Sequence, residues 1–240
     1  MSSLRFLRRL RPLRTLVAAS ALLLGGTAQA NDIDNQVGWV SWFHNHKLND
    51  QWRFISDVQF RSDDNYSDLD TLLIRPGLSY QITPEWSAGG GYLYVRTFDV
   101  GNRDLVEHRP WQQLVYQKKF GDTPVQQRFR LEQRFIERAS GDDIFSQRFR
   151  YFVRALVPIG TAKTGSQSAF YIPIQNELFL HLSNKDQLNG ETFDQNRAFI
   201  GVGYRPTPQI DVEVNYLNQR LNRARNVDNH VIQLAVFTRF

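Results

Sequence analysis

The sequence predicts an all-β protein, an antiparallel transmembrane β-barrel of ten or twelve strands formed by residues 31–240 behind a signal peptide of residues 1–30. Three observations predict it. The chain opens on a basic, then apolar, leader that ends in a small-x-small site. Apolar and polar residues then alternate in runs of ten or more. Short turns and longer acid-rich loops separate these runs in alternation.

In the leader, Arg5, Arg8, Arg9, Arg11 and Arg14 precede the apolar stretch of residues 16–24, and Ala28-Gln29-Ala30 supplies the cleavage pattern. The apolar stretch is too short to span a bilayer, so the expected mature chain starts at Asn31. The whole chain has 29 Lys+Arg and 24 Asp+Glu, but the leader holds five Arg and no acid, so the mature part is balanced at 24 against 24. The basic pI belongs to the leader, and nucleic-acid binding drops out as a function. The chain has no cysteine, which excludes a disulfide framework and thiolate metal sites. No stretch after the leader approaches eighteen consecutive apolar residues, so a transmembrane helix is excluded.

The strands carry the argument. Trp52, Phe54, Val58 and Phe60 alternate with Arg53, Asp57, Gln59 and Arg61. Leu72, Ile74, Leu78 and Tyr80 alternate with Thr71, Arg75, Gly77 and Ser79. Phe129 and Leu131 oppose Arg128, Arg130 and Glu132, while Tyr151 and Val153 oppose Arg150 and Arg154. Ile210, Val212 and Val214 oppose Asp211, Glu213 and Asn215. Runs of this length match the roughly nine to eleven residues that a tilted strand needs to cross a bilayer, whereas soluble strands centre near five or six. A bilayer leaves a closed sheet as the one β solution, since every backbone donor and acceptor needs an internal partner.

Short connections are expected at 47–50, 83–85, 121–124 and 206–208, with a longer one at 160–168. Acid-rich loops are expected at 63–68, 99–106, 139–144, 182–191 and 221–228. The chain ends in an alternating strand closed by Phe240, an ending similar to the signal read by outer-membrane assembly machinery. Eleven strands can be counted, near 36–46, 51–62, 69–82, 86–98, 106–119, 125–138, 145–158, 169–181, 193–205, 209–220 and 229–240. Bacterial single-chain barrels have even counts, which gives the expectation of ten or twelve. Either segment 36–46 is no wall strand or one pair is miscounted, and counting back from the C-terminus starts the first strand on the outside.

Several strings in order carry a family resemblance. They are Leu73-Ile74-Arg75-Pro76-Gly77-Leu78-Ser79-Tyr80, Gly89-Gly90-Gly91-Tyr92, Glu107-His108-Arg109-Pro110-Trp111-Gln112-Gln113 and Arg128-Phe129-Arg130-Leu131-Glu132-Gln133-Arg134-Phe135. They continue with Arg148-Phe149-Arg150-Tyr151, Asn176-Glu177-Leu178-Phe179 and Phe193-Asp194-Gln195-Asn196-Arg197. The chain thus resembles an outer-membrane barrel family, domain of unknown function twenty-four ninety. The resemblance spans nearly all of the mature chain and implies the barrel fold and an outer-membrane location. It implies no activity.

The most informative chemistry is an arginine-rich wall. By strand parity Arg109, Arg128, Arg130, Arg134, Arg138, Arg148, Arg150, Arg154, Arg197 and Arg205 point inward, opposed only by Glu107, Glu132 and Glu177. Like charges directly across adjacent strands are destabilising unless an anion or water intervenes. Guanidinium groups suit bidentate recognition of carboxylate or phosphate. The expected site is therefore a lumen that binds or conducts small anions, built from Arg109, Arg128, Arg130, Glu132, Arg134, Arg148, Arg150, Arg154, Glu177 and Arg197. The competing expectation is a structural barrel plugged by those arginines paired to the glutamates.

A lipid-modifying enzyme is the weakest reading. No serine, Ser146 and Ser183 included, sits in a nucleophile-elbow pattern or pairs by register with a histidine. His44-Asn45-His46 reads as polar surface rather than a metal site, and Gly89-Gly90-Gly91 is no phosphate loop but allows curvature or close lumen packing. No catalytic, metal or cofactor site is expected. The expected partners are outer-membrane lipids, lipopolysaccharide among them beside the acidic loops, and the assembly machinery through Phe240.

Overall fold

A computed structural model describes residues 32–98, 103–138 and 141–240. The expected signal peptide lies outside the described residues. Alternation in the sequence becomes eleven strands: β1 (Ile33–Lys47), β2 (Trp52–Ser62), β3 (Leu69–Gln81), β4 (Trp86–Thr97), β5 (Leu105–Phe120) and β6 (Thr123–Ile136), then β7 (Ile144–Thr164), β8 (Gln167–His181), β9 (Phe193–Thr207), β10 (Ile210–Leu221) and β11 (Val227–Arg239). They close into one barrel in sequence order, with β1 beside β11.

The expected ten or twelve strands are corrected to eleven among the described residues. Segment 36–46 is a wall strand and no pair is miscounted. An odd count forces the two strands at the closure to run the same way. β1 and β11 are indeed parallel, from Ile33 opposite Val227 to Asn45 opposite Arg239, and all other neighbours are antiparallel. A parallel pair bonds as regularly as an antiparallel one, at slightly lower stability per residue. The last residue fastens the seam, since Phe240 donates its N–H to the Asn45 carbonyl at 2.9 Å and accepts from Lys47 N–H at 2.5 Å.

All short turns fall at one end of the barrel and all longer loops at the other. The connection expected to be long at 160–168 is shorter. β7 continues through an irregularity between Ile159 and Lys163, where Gly160 takes φ +68°, and a two-residue turn with Gly165 at φ +59° leads into β8. Because β11 ends among the short turns, parallel β1 begins at the long-loop end.

Parity sorts the side chains. On the outside, Val40, Ile74, Leu78, Ile174, Ile200, Val202, Val214, Ile232 and Leu234 are 41–57% exposed, an apolar belt with no protein cover. Aromatic pairs border it towards the short turns, with Trp52–Tyr80 at 5.0 Å, Trp86–Tyr116 at 4.9 Å and Phe170–Tyr204 at 4.9 Å. Towards the loops stand Phe135–Phe145 at 5.1 Å and the Tyr216–His230 hydrogen bond at 2.6 Å. His44 and His46 also face outward, His44 Nδ1 lying 2.8 Å from Thr238 Oγ1.

Inside, charged and aromatic side chains surround two small apolar clusters, Val37, Trp39, Leu217 and Val231 in one and Leu73, Leu93, Val95 and Trp111 in the other. Trp111 of β5 lies over β3 and β4, and this needs two glycines. A Cβ at Gly77 would stand 2.5 Å from the Trp111 ring and one at Gly91 2.6 Å from it. The expected close lumen packing of the glycine run is thus found at Gly91, directly opposite Gly77.

Candidate arginine–carboxylate lumen site

Every arginine and glutamate of the expected site lies on an inward-facing register position. At its centre is Glu132 of β6, with no exposed surface. It accepts from Arg148 Nη2 at 2.7 Å and Arg150 Nη1 at 2.5 Å, while Arg109 and Arg130 stand 3.9 Å away. Arg150 turns its other edge to Glu177 at 2.7 Å, which also receives Arg128 at 2.8 Å. Arg148 reaches on to Asp194 at 2.9 Å. Towards the loops, Glu107 holds Arg134 through two bonds of 2.6 and 3.2 Å and also pairs with Arg109. Towards the short turns, Arg154 bonds Gln175 at 2.8 Å and pairs with Glu213, and Arg205 forks onto Asp211 at 2.7 and 3.1 Å.

The expected like-charge ladder is present but defused. Arg130 and Arg150 stand directly opposite on β6 and β7. Their guanidinium groups part: Arg150 goes to Glu132 and Glu177, whereas Arg130 turns to Gln113 Oε1 at 2.7 Å and lies over the Trp111 ring at 4.6 Å. Aromatic faces hold several other arginines. Phe179 has Arg148, Arg150 and Arg197 within 5.0 Å of its ring centre, and Trp39 has Arg61 at 3.9 Å and Arg197 at 5.1 Å. A ring quadrupole attracts the cation without supplying a counter-charge.

Two expectations need correction. Arg138 lies beyond the end of β6 and donates to the Gln187 carbonyl in the neighbouring loop, so it is no lumen wall residue. Nor are Glu107, Glu132 and Glu177 the only opposing acids, because Asp57, Asp194, Asp211 and Glu213 are buried in the lumen as well. Asp211 and Glu213 carried the signal already, as the polar face of an alternating strand. Asp194 did not. A register irregularity beside Leu180 turns both Asp194 and Gln195 inward, which strict alternation forbids. Parity applied to β2 and β3 also supplies Arg61 and Arg75.

The lattice crosses the lumen as well as lining it. Arg154 on β7 lies 5.0 Å from the Phe237 ring of β11 while paired to Glu213 of β10, and Arg197 on β9 reaches Trp39 of β1. Ser146 is fully buried and its hydroxyl donates to the Ser183 carbonyl at 3.0 Å.

Comparison with known proteins gives three matches. Residues 36–230 match the model of a family described as "Protein of unknown function (DUF2490)". An uncharacterised protein of Methylorubrum extorquens is 26% identical over 235 residues, covering 96% of this chain and 100% of that one. Among solved structures, a NanC porin in a rhombohedral crystal form shares 14% identity at a TM-score of 0.48, covering 76% of this chain and 80% of that chain.

Proposed function

Because the chain belongs to the family described as protein of unknown function (DUF2490), whose description assigns no activity, we propose its function from the barrel itself. It is an outer-membrane barrel whose lumen is stoppered by its own ion pairs, one that binds at its mouths and does not conduct. The outward apolar belt between aromatic borders supports the membrane reading, as does the export leader in the sequence. Short turns then face the periplasm, and the acid-bearing loops face outward among the lipopolysaccharide headgroups. Phe240, bonded across the seam, is the feature offered to the assembly machinery.

One observation carries the stoppered reading: Glu132, at mid-lumen, has no exposed surface and is held from two sides by Arg148 and Arg150. An ion passing through would have to part such pairs, and removing one partner of a buried pair costs about 3–5 kcal/mol. The plugged barrel is therefore preferred over an anion channel.

The test has two parts. Protein from expressing cells should fractionate with the outer membrane and migrate differently on gels before and after heating. Proteoliposomes loaded with an impermeant sugar should not swell in isotonic potassium glutamate. A folded soluble pool would contradict the membrane reading, and rapid swelling would contradict the stopper.

A further inference from the structure

The lattice is complete around Glu132 but not on the short-turn side of it. A cavity of about 340 Å³ lies there between the β1–β2 wall and the β5–β6 wall. Five arginines border it, Arg53, Arg75, Arg128, Arg130 and Arg239, against one carboxylate, Asp57. Three are already committed to acids: Arg239 to Asp211, Arg128 to Glu177 at 2.8 Å, and Arg75 to Asp57 at 3.5 Å. Arg130 is not. It bonds neutral Gln113, and Glu132, 3.9 Å away, is already claimed by Arg148 and Arg150.

Unused donors lie on the side chains that line this space. Arg128 Nε, Arg130 Nη1 and Trp111 Nε1 are buried and make no hydrogen bond among the described residues, and these three side chains line the cavity together with Arg75, whose Nε faces Asp57. Arg130 is 4% exposed, Arg75 7% and Trp111 1%. A buried donor left unmatched costs about 1–3 kcal/mol, more when charged. Three of them on side chains lining one cavity favour an acceptor there. Asn45 Oδ1, also unmatched, belongs to an amide that can turn to offer its NH₂. Ile55 and the stacked rings of Phe43 and Phe237 at 4.7 Å give the cavity one apolar patch, beside Ser56 and Thr238.

We propose that this chamber binds one small organic monocarboxylate from the short-turn side, its carboxylate on Arg130, Arg75 and Trp111 and its apolar body against Phe43 and Phe237. Of the two arginines there without an acidic partner only Arg130 is buried, and one buried cation matches one negative charge, while guanidinium and indole N–H groups match a planar acceptor. Arg148, Arg150 and Arg205 already use carboxylates in this way. The site is not the one expected from parity: it keeps Arg128 and Arg130, adds Arg75 and Trp111, and leaves the other arginines to the stopper. It extends the stoppered reading, which makes the chamber blind, but does not depend on it.

The experiment is calorimetric titration of the refolded mature chain, in zwitterionic detergent at low chloride, with sodium benzoate, acetate and inorganic phosphate. Expected is saturable one-to-one benzoate binding, weaker for acetate and phosphate. Arg130→Gln should weaken benzoate at least tenfold, and Arg130→Lys, which keeps the charge but loses the fork, by less. Arg134→Gln, in the ion pair at the opposite end of the lumen, should leave binding unchanged. Absence of saturable benzoate binding by folded protein would overturn the proposal, leaving a chamber that holds solvent only. So would tighter binding of phosphate, or equal weakening by Arg134→Gln. Swelling measured on the same preparation separates the two readings: flux with intact benzoate binding sinks the stopper alone, and no flux with no binding sinks the site alone.

Discussion

Glu132 has four arginine side chains within 3.9 Å and no exposed surface, whereas Arg130, directly opposite Arg150, has no acid to itself. Their substitutions should therefore differ. Glu132→Gln removes the charge that holds Arg148 and Arg150 and should destabilise by about 3 kcal/mol or more. Arg130→Gln relieves a like-charge contact and should cost about 1 kcal/mol or less. Urea unfolding in detergent, followed by tryptophan fluorescence, checks this; equal shifts would contradict the lattice as drawn. At the loop rim, Asp63 accepts the Asp68 N–H at 2.9 Å, and this backbone bond holds its carboxyl below the ordinary carboxylate range. A depressed acid stabilises above its unfolded value, so the 63–68 loop should keep its order there. It should lose that order as pH falls through the lowered value, read as faster exchange of the Asp68 amide. Parity made most lumen residues legible from sequence, because a period of two leaves each side chain one of two faces. Asp194 was hidden by a register shift, and the chamber because it depends on which way a guanidinium turns.

Among the strands, those expected from sequence differ from those observed mostly by one to three residues at each end; β7 alone runs six residues further, to Thr164. Hydrophobic alternation and turn residues fix such bounds locally. The closure was not local, since nothing in the sequence of β1 or β11 alone shows that they pair in parallel. The seam has a sharp test. Ser41 and Ala235 are register partners, both buried, so Ser41→Cys with Ala235→Cys should oxidise to a disulfide in the folded barrel. Ser41→Cys with Phe237→Cys, shifted two residues along the same face, should not. The reverse result would mean a different register or an even-stranded closure. Gly91 offers a second test at this scale. Gly91→Val would drive Trp111 from its seat and should lower both stability and benzoate affinity, while Gly90→Val, on the outward face, should do much less.

For the whole molecule, an odd count and a parallel seam put the start of β1 at the long-loop rim, where Ile33 donates to the Asn226 carbonyl at 2.9 Å. A cysteine replacing Asp34 should then react with a membrane-impermeant thiol reagent on intact cells, and one replacing Asp50 in a short turn should not. Deleting Phe240 removes two seam bonds and should lower outer-membrane levels. The central claim is that the barrel is shut by its own arginine–carboxylate pairs. Planar-bilayer recording in asymmetric KCl tests it most directly, comparing wild type with the double variant Glu132→Ala, Arg150→Ala. The account predicts no resolvable channel steps from correctly folded wild type, and steps from the double variant once the mid-lumen pairs are gone. Steady, anion-selective steps from wild type would contradict it.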